Sequence, residues 1–205
     1  MTKEHRLFEA GESLSRVYLP QAGAVSIVVN LSEGQTVAAA MIGRDGVVGA
    51  SAALGDGISL NDAVVLFSGP ATVLDMGNFR AAVERSPAFR NLFARHEQAL
   101  LAQAQQSAAC NAIHSVEQRL SRWLLRARDL HDGGVLPLTQ EFLARLIGVQ
   151  RNAISIVAHA LQHSGIIRYS RGQLEITNTR ALEKMACECY RMVRAKHDHL
   201  FKMQH

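Results

Sequence analysis

The sequence predicts an α+β chain in three parts. These are an antiparallel β-roll of jelly-roll type over 1–87, a long helix with a hinge over 88–113, and a winged helix-turn-helix over 114–205. Three observations predict this. Residues 7–78 alternate short β-rich runs with turn residues at intervals of roughly 8–12 positions. Residues 88–112 hold few helix breakers and much Ala, Leu and Gln. Residues 138–176 join two amphipathic helices at a glycine and follow them with an arginine-bearing hairpin.

In the front part, turns at Ala22-Gly23, Ser32-Glu33-Gly34, Gly43–Gly46, Gly55–Gly57 and Ser68–Pro70 separate four expected strands. These are Val25–Val29, Thr36–Ile42, Asp62–Phe67 and Ala71–Met76. A β-roll could also be a metal-dependent cupin enzyme, which needs several histidines on its strands. The only histidine before His96 is His5, which excludes that set. Asp75 or Asn78 can start a short helix through Arg85, and Ser86-Pro87 restarts the chain.

The helix from Ala88 to about Ala112 is expected to pack through Phe89, Phe93, Leu100 and Leu101, with Ala104 and Ala108 allowing close approach. His96, Gln103 and Cys110 fall on or near that seam. Asn111–Ser115 reads as a hinge. Val116–Leu130 reads as an amphipathic helix with Leu120, Trp123, Leu124 and Ala127 inside and Arg119, Arg122, Arg126 and Arg128 outside. His131–Gly134 is a loop.

Thr139 can cap the next helix, Glu141 suits its positive end, and Phe142, Leu143, Leu146 and Ile147 form its buried stripe. Gly148 permits a positive φ and ends it. A second helix begins near Gln150 with Ile154, Val157, Ala158 and Leu161 facing inward, which turns Arg151, Asn152, Ser155 and His159 to solvent. Ile166–Ser170 and Gln173–Ile176 form a hairpin about Arg171-Gly172, a wing. The second helix of such a motif enters the major groove of DNA. A final helix is expected from Asn178 or Thr179 to about Arg194, with a frayed tail over Lys196–His205.

Cys187-Glu188-Cys189 with His197, His199 and His205 has the composition of a metal site. Two cysteines at i, i+2 on one helix point roughly 200° apart, so no metal site is expected there. The cysteine count, three, argues against a disulfide framework, and residues 1–6 form no secretory signal. A cytoplasmic, non-membrane protein is expected. No nucleophile motif marks an enzyme.

The net charge of +4 is unevenly spread: residues 1–110 carry 8 Lys/Arg and 10 Asp/Glu, residues 111–205 carry 14 and 8. The basic half is the half with the helix-turn-helix, as attraction to DNA phosphates requires.

The segments TQEFLARLIGVQR (139–151) and LQHSGIIRY (161–169) resemble the DNA-binding domain of Crp/Fnr transcription regulators, and the likeness is specific over about 138–180. Gly11-Glu12, Val17–Pro20, Gly23 and IGRDGVVG (42–49) are more weakly similar to that family's cyclic-nucleotide-type β-roll. The resemblance implies a homodimer joined through the 88–112 helix, double-stranded DNA as partner, and RNA polymerase as a candidate further partner. It places the family's base-reading arginine at Arg151, with Asn152 where relatives often carry Glu. The DNA-contacting set is then Arg151, Asn152, Ser155 and His159, Gln150 before them, Thr139 and Gln140 at the first helix, and Arg168 and Arg171 on the wing.

Departures bear on the input. Gly11-Glu12 comes early in the chain for this family. Cyclic-AMP binders place a ribose-holding Glu after the glycine and an arginine on the cyclic phosphate. Here Gly49 is followed by Ala50, and the arginine's segment reads Ser59-Leu60-Asn61-Asp62. Cyclic AMP is therefore not expected as the signal. The four-cysteine iron–sulfur set of oxygen sensors is missing before Cys110. Haem through His96 or His114 is outweighed by solvated or interface roles. Effector and cofactor stay unassigned. The alternative function is a small-molecule sensing module with weak or vestigial DNA contact.

Overall fold

A computed structural model describes residues 1–202. The front part comprises β1 (Arg6–Phe8), β2 (Arg16–Pro20), β3 (Ala24–Asn30), β4 (Thr36–Ile42), α1 (Ala50–Leu54), β5 (Asp62–Phe67), β6 (Ala71–Asp75) and α2 (Met76–Arg85). One sheet has the order β1-β5-β3-β4 and β2 pairs with β6, all antiparallel. The four expected strands are present, the last ending one residue early because Asp75 caps α2 through the Gly77 and Asn78 amides. Helix α1 and strand β1 had no sequence signal long enough to stand out.

Ser86 caps α3 (Pro87–Ile113), with Pro87 in its first turn, where no amide donor is needed. The expected hinge shrinks to His114-Ser115, since α3 runs to Ile113 and Ser115 opens α4 (Val116–Leu130) with a reciprocal capping box to Gln118. Then come β7 (Val135–Leu136), α5 (Gln140–Ile147), α6 (Arg151–His163), β8 (Ile167–Ser170), β9 (Gln173–Ile176), α7 (Thr179–Met185) and α8 (Cys189–Lys202). Strands β7, β9 and β8 form a three-stranded wing sheet.

Several expectations need correction. His96, Gln103 and Cys110 do not lie on an outer seam of α3 but are buried within the protomer. Gln103 accepts from the Met41 amide at 2.8 Å and donates to its carbonyl at 3.3 Å, closing the open edge of β4. His96 meets the Val47 carbonyl at 3.0 Å. Arg119 and Arg122 are inside rather than outside, because α4 is covered on both faces. Arg119 donates to the Ile147 carbonyl, and Arg122 donates to Ser107 and stacks over Trp123 at 4.6 Å. Arg126 is half-buried against Asp45, and of the four arginines Arg128 alone stays exposed.

The last helix is broken. Helix α7 ends at Met185, Ala186 is extended, and α8 restarts at Cys189. The geometry that set Cys187 and Cys189 on opposite sides of one helix therefore does not apply. Lys196–Lys202 continues α8 instead of fraying; His205 lies outside the described residues. Among the described residues no helix is long and apolar enough to cross a membrane.

One apolar cluster runs from Met41, Leu66 and Phe67 of the β-roll through Leu120, Trp123 and Leu124 of α4 to Phe142, Ile147, Ile154 and Leu161. Each fully buried leucine contributes about 1.5–3 kcal/mol. Gly148 closes α5 in the left-handed region, φ 68°, and a Cβ there would lie 2.6 Å from Val37 Cγ2. Gly148→Ala should therefore cost about 1–2 kcal/mol in backbone strain, plus the clash with β4. Thermal unfolding checks this, and adding Val37→Ala should recover the steric part only. An unchanged melting temperature for the single variant would contradict the account.

Candidate nucleic-acid interface

The turn at Gly148 sets α6 against α5 so that the first residues of α6 project outward. Thr139 caps α5 by accepting from the Phe142 amide at 3.1 Å, which leaves its hydroxyl hydrogen to donate outward. Ile154, Ala158 and Leu161 are buried under α6, while Arg151, Asn152 and His159 are exposed. Gln150 precedes α6 in extended geometry without a side-chain cap, so the first amides of α6 are open to an anion.

Ser155 departs from its expected place. It is half-buried, and its hydroxyl donates to Gln140 Oε1 at 2.7 Å. That bond couples the starts of the two helices and turns the NH2 of Gln140 into the end left to donate.

The wing lies against the same edge. The Tyr169 hydroxyl donates to the Leu138 carbonyl at 2.9 Å, and the Tyr169 amide donates to Gln162 at 2.8 Å. Burial pushes the Tyr169 phenol above its ordinary pKa. Arg171 sits at the hairpin tip with φ 49°, and the adjacent Gly172 packs so close to Thr139 that a Cβ would meet its methyl at 3.2 Å. Arg168 faces Glu175 across the hairpin and pairs with it at 2.7 Å. The structure thus brings Thr139, Gln140, Ser155 and the wing tip together, with Arg151 and Asn152 at the exposed end and His159 two turns along α6.

Sequence reasoning missed Ile156, which is 71 % exposed on the same face as Arg151, Asn152 and His159. It lines a groove with Gln140, Ser155, His159, Gln162 and Tyr169. The available signal was its spacing, four residues from Asn152, on a face otherwise polar.

In the β-roll, a cavity of about 430 Å³ opens between β4, α1 and α3. Ile27, Ile42, Val47 and Leu60 line it, with Leu100 and Leu101 from α3. Its charged lining residues are Asp56 and Glu97; no Lys or Arg is among them. Two details of the sequence reading change here. Asp62 points away from the cavity, accepting from the Ala10 amide at 2.8 Å and from Asn30. Ala50 is buried at the start of α1 and does not line it. Arg44 is held elsewhere, paired with Asp132.

Two family models match: a cyclic nucleotide-binding domain over residues 1–86 and a Crp-like helix-turn-helix domain over residues 118–185. A cyclic AMP receptor protein from Thermus thermophilus is 26% identical over 184 residues, covering 88% of this chain and 83% of the relative. Among solved structures, FixK2 from Bradyrhizobium japonicum superposes with a TM-score of 0.75 at 20% identity, covering 91% of this chain and 94% of its own. A transcriptional regulator of the CRP family from Thermus thermophilus also gives 0.75, at 19% identity, covering 91% and 95%. At these identities the solved structures speak for the fold alone.

Proposed function

The chain belongs to the Crp/Fnr family of transcription regulators, and on that premise we propose that it acts in the cytoplasm as a homodimer on a two-fold symmetric DNA site. Helix α6 of each protomer enters a major groove, with half-sites about one helical turn apart. The observation that carries this reading is the exposed face of α6, where Arg151, Asn152, Ile156 and His159 stand together opposite the buried Ile154, Ala158 and Leu161.

Each residue has a matching chemistry. The fork of Arg151 suits the O6 and N7 acceptors of guanine, the amide of Asn152 suits adenine, and Ile156 suits a thymine methyl. Gln150 with the first amides of α6, Thr139, Gln140 and Arg171 suit phosphates and fix the register. Arg168 joins them once it exchanges Glu175 for phosphate. RNA polymerase is the candidate next partner.

For the dimer, the outward face of α3 supports a seam that the sequence pattern had hidden. Asn91, Ala94, Gln98, Leu101, Gln105, Ala108 and Ala112 are all exposed and alternate in steps of three and four. We assign residues 1–87 to sensing, 88–113 to dimerisation and 114–205 to DNA. The effector is a small molecule taken by the β-roll cavity. An anion there would lose its hydration with no cation to replace it, and Asp56 and Glu97 would oppose it. A cyclic nucleotide is therefore a poor ligand for it.

Arg151→Ala should weaken binding to a selected operator by about 1–3 kcal/mol and relax preference at one base pair. Equal loss on operator and random DNA would refute base reading. Leu101→Glu should convert the dimer to monomers in light scattering at micromolar concentration, by placing two carboxylates across one seam. An unaltered dimer would remove that face from the interface. Calorimetry with cyclic AMP and cyclic GMP should give no heat of binding. Micromolar affinity coupled to tighter operator binding would show that the β-roll recognises the cyclic phosphate after all.

A further inference from the structure

The end of α3 and the break before α8 meet in a cluster that DNA binding does not use. Cys110 lies in the last turn of α3, and His114 caps the end of that helix four residues on, its amide donating to the Cys110 carbonyl at 3.0 Å. Opposite them, Cys187 sits in the extended segment between α7 and α8, and Cys189 begins α8. The three thiols are buried, at 0%, 4% and 1% exposure, and form a group of their own apart from the apolar cores. Cys110 Sγ lies 3.5 Å from Cys187 Sγ, and Cys189 Sγ lies 3.6 Å from His114 Nδ1. All four ligand atoms are within 4.8 Å of one another.

We propose that Cys110, His114, Cys187 and Cys189 hold one tetrahedral zinc ion that clasps the C-terminal end of α3 to the start of α8. Zinc bonds of about 2.3 Å to sulfur and 2.0–2.1 Å to nitrogen give tetrahedral edges of about 3.8 Å and 3.6 Å, close to the separations here. Three cysteines and one histidine form a closed structural set for this ion. Four atoms so close together enclose a single ion; a cluster with bridging sulfides needs them spread over several irons.

The surroundings fit the same reading. His114 Nε2 faces Glu188 Oε2 at 3.3 Å, so a carboxylate holds the outer nitrogen while Nδ1 faces the thiols. Gln106 Nε2 donates to Cys189 Sγ at 3.1 Å, as a thiolate acceptor would require. Three thiolates, a neutral imidazole and a divalent cation leave one negative charge. Arg122 and Arg119 are buried beside Cys110, each with an Nε that has no hydrogen-bond partner among the described residues. The loaded site is the counter-charge those guanidiniums lack. A disulfide between Cys110 and Cys187 would leave Cys189, His114 and Glu188 without a shared role.

The test is elemental analysis of the full-length protein, purified without chelator and dialysed, together with cobalt(II) exchange. The expected result is about one zinc per chain, and a cobalt form with thiolate charge-transfer and tetrahedral ligand-field bands. Cys189→Ser should abolish both. Glu188→Ala, at a side chain 63% exposed and so without effect on folding, should weaken zinc affinity about tenfold in competition with a chelator dye. Native protein that is metal-free with three titratable thiols, that carries a disulfide, or that shows iron–sulfur absorbance would overturn the proposal. None of these readouts uses DNA, so the site stands or fails apart from the regulator reading.

Discussion

Helix α4 is buried on both faces, and a buried helix that carries arginines obliges its neighbours to supply acceptors and counter-charge. Nine of its fifteen residues are buried. Leu120, Leu124 and Leu125 carry the apolar part, joining β-roll and helix-turn-helix in one core. Arg119 reaches the carbonyl at the end of α5, one residue before the Gly148 turn, and so ties α4 to the turn that aims α6. Arg126 pairs with Asp45 at 2.6 Å in the turn after β4. Burial alone would raise Asp45, but Arg126 holds its carboxyl below the ordinary range. The turn after β4 and the helix-turn-helix are therefore fastened to the same rod.

Helix α3 serves three neighbours with three faces. Its inner face is sewn to β4 by Gln103 and to Val47, in the segment that follows, by His96. Leu100, Leu101 and Ala104 wall the β-roll cavity, and Leu101 also stands on the outward heptad face. Its last turn carries Cys110 against α8. The cavity is thus walled by the helix itself rather than by a distant loop. The cavity wall, the outward face and the attachment of α8 are parts of one helix.

Much of the reading head was legible because its signals are local. Thr139, Gly148 and Arg171-Gly172 act through their own backbone geometry, and the α6 periodicity fixes which face is wet. Arg119, Arg122 and Arg126 were misplaced because a helical wheel treats charge as exposed, whereas here stacking on Trp123, a carbonyl acceptor and Asp45 compensate burial. The break at Ala186 carries no Gly or Pro. It became visible only with the fold, and with it the meeting of Cys187 and Cys189. His96, Gln103 and Cys110, seven apart, resembled a flawed dimer seam because periodicity reports a face without naming what covers it.

The basic balance of the C-terminal half also changes meaning once the partners are known. Arg119 and Arg122 lie inside, Arg126 pairs with Asp45, Arg145 with Glu4 and Arg168 with Glu175. Much of the positive charge that suggested DNA is spent in holding the protein together. Arg151 and Arg171, exposed and without an ion pair among the described residues, remain at the start of α6 and the wing tip. Each phosphate neutralised adds about 0.9 to the salt slope of binding to duplex DNA. If these are the main cations presented to DNA, the salt slope should be shallow and discrimination should rest on the proposed fit of Arg151, Asn152 and Ile156 to base edges. Net charge marked the half of the chain that holds the helix-turn-helix, but the fold decides which of its cations stay exposed.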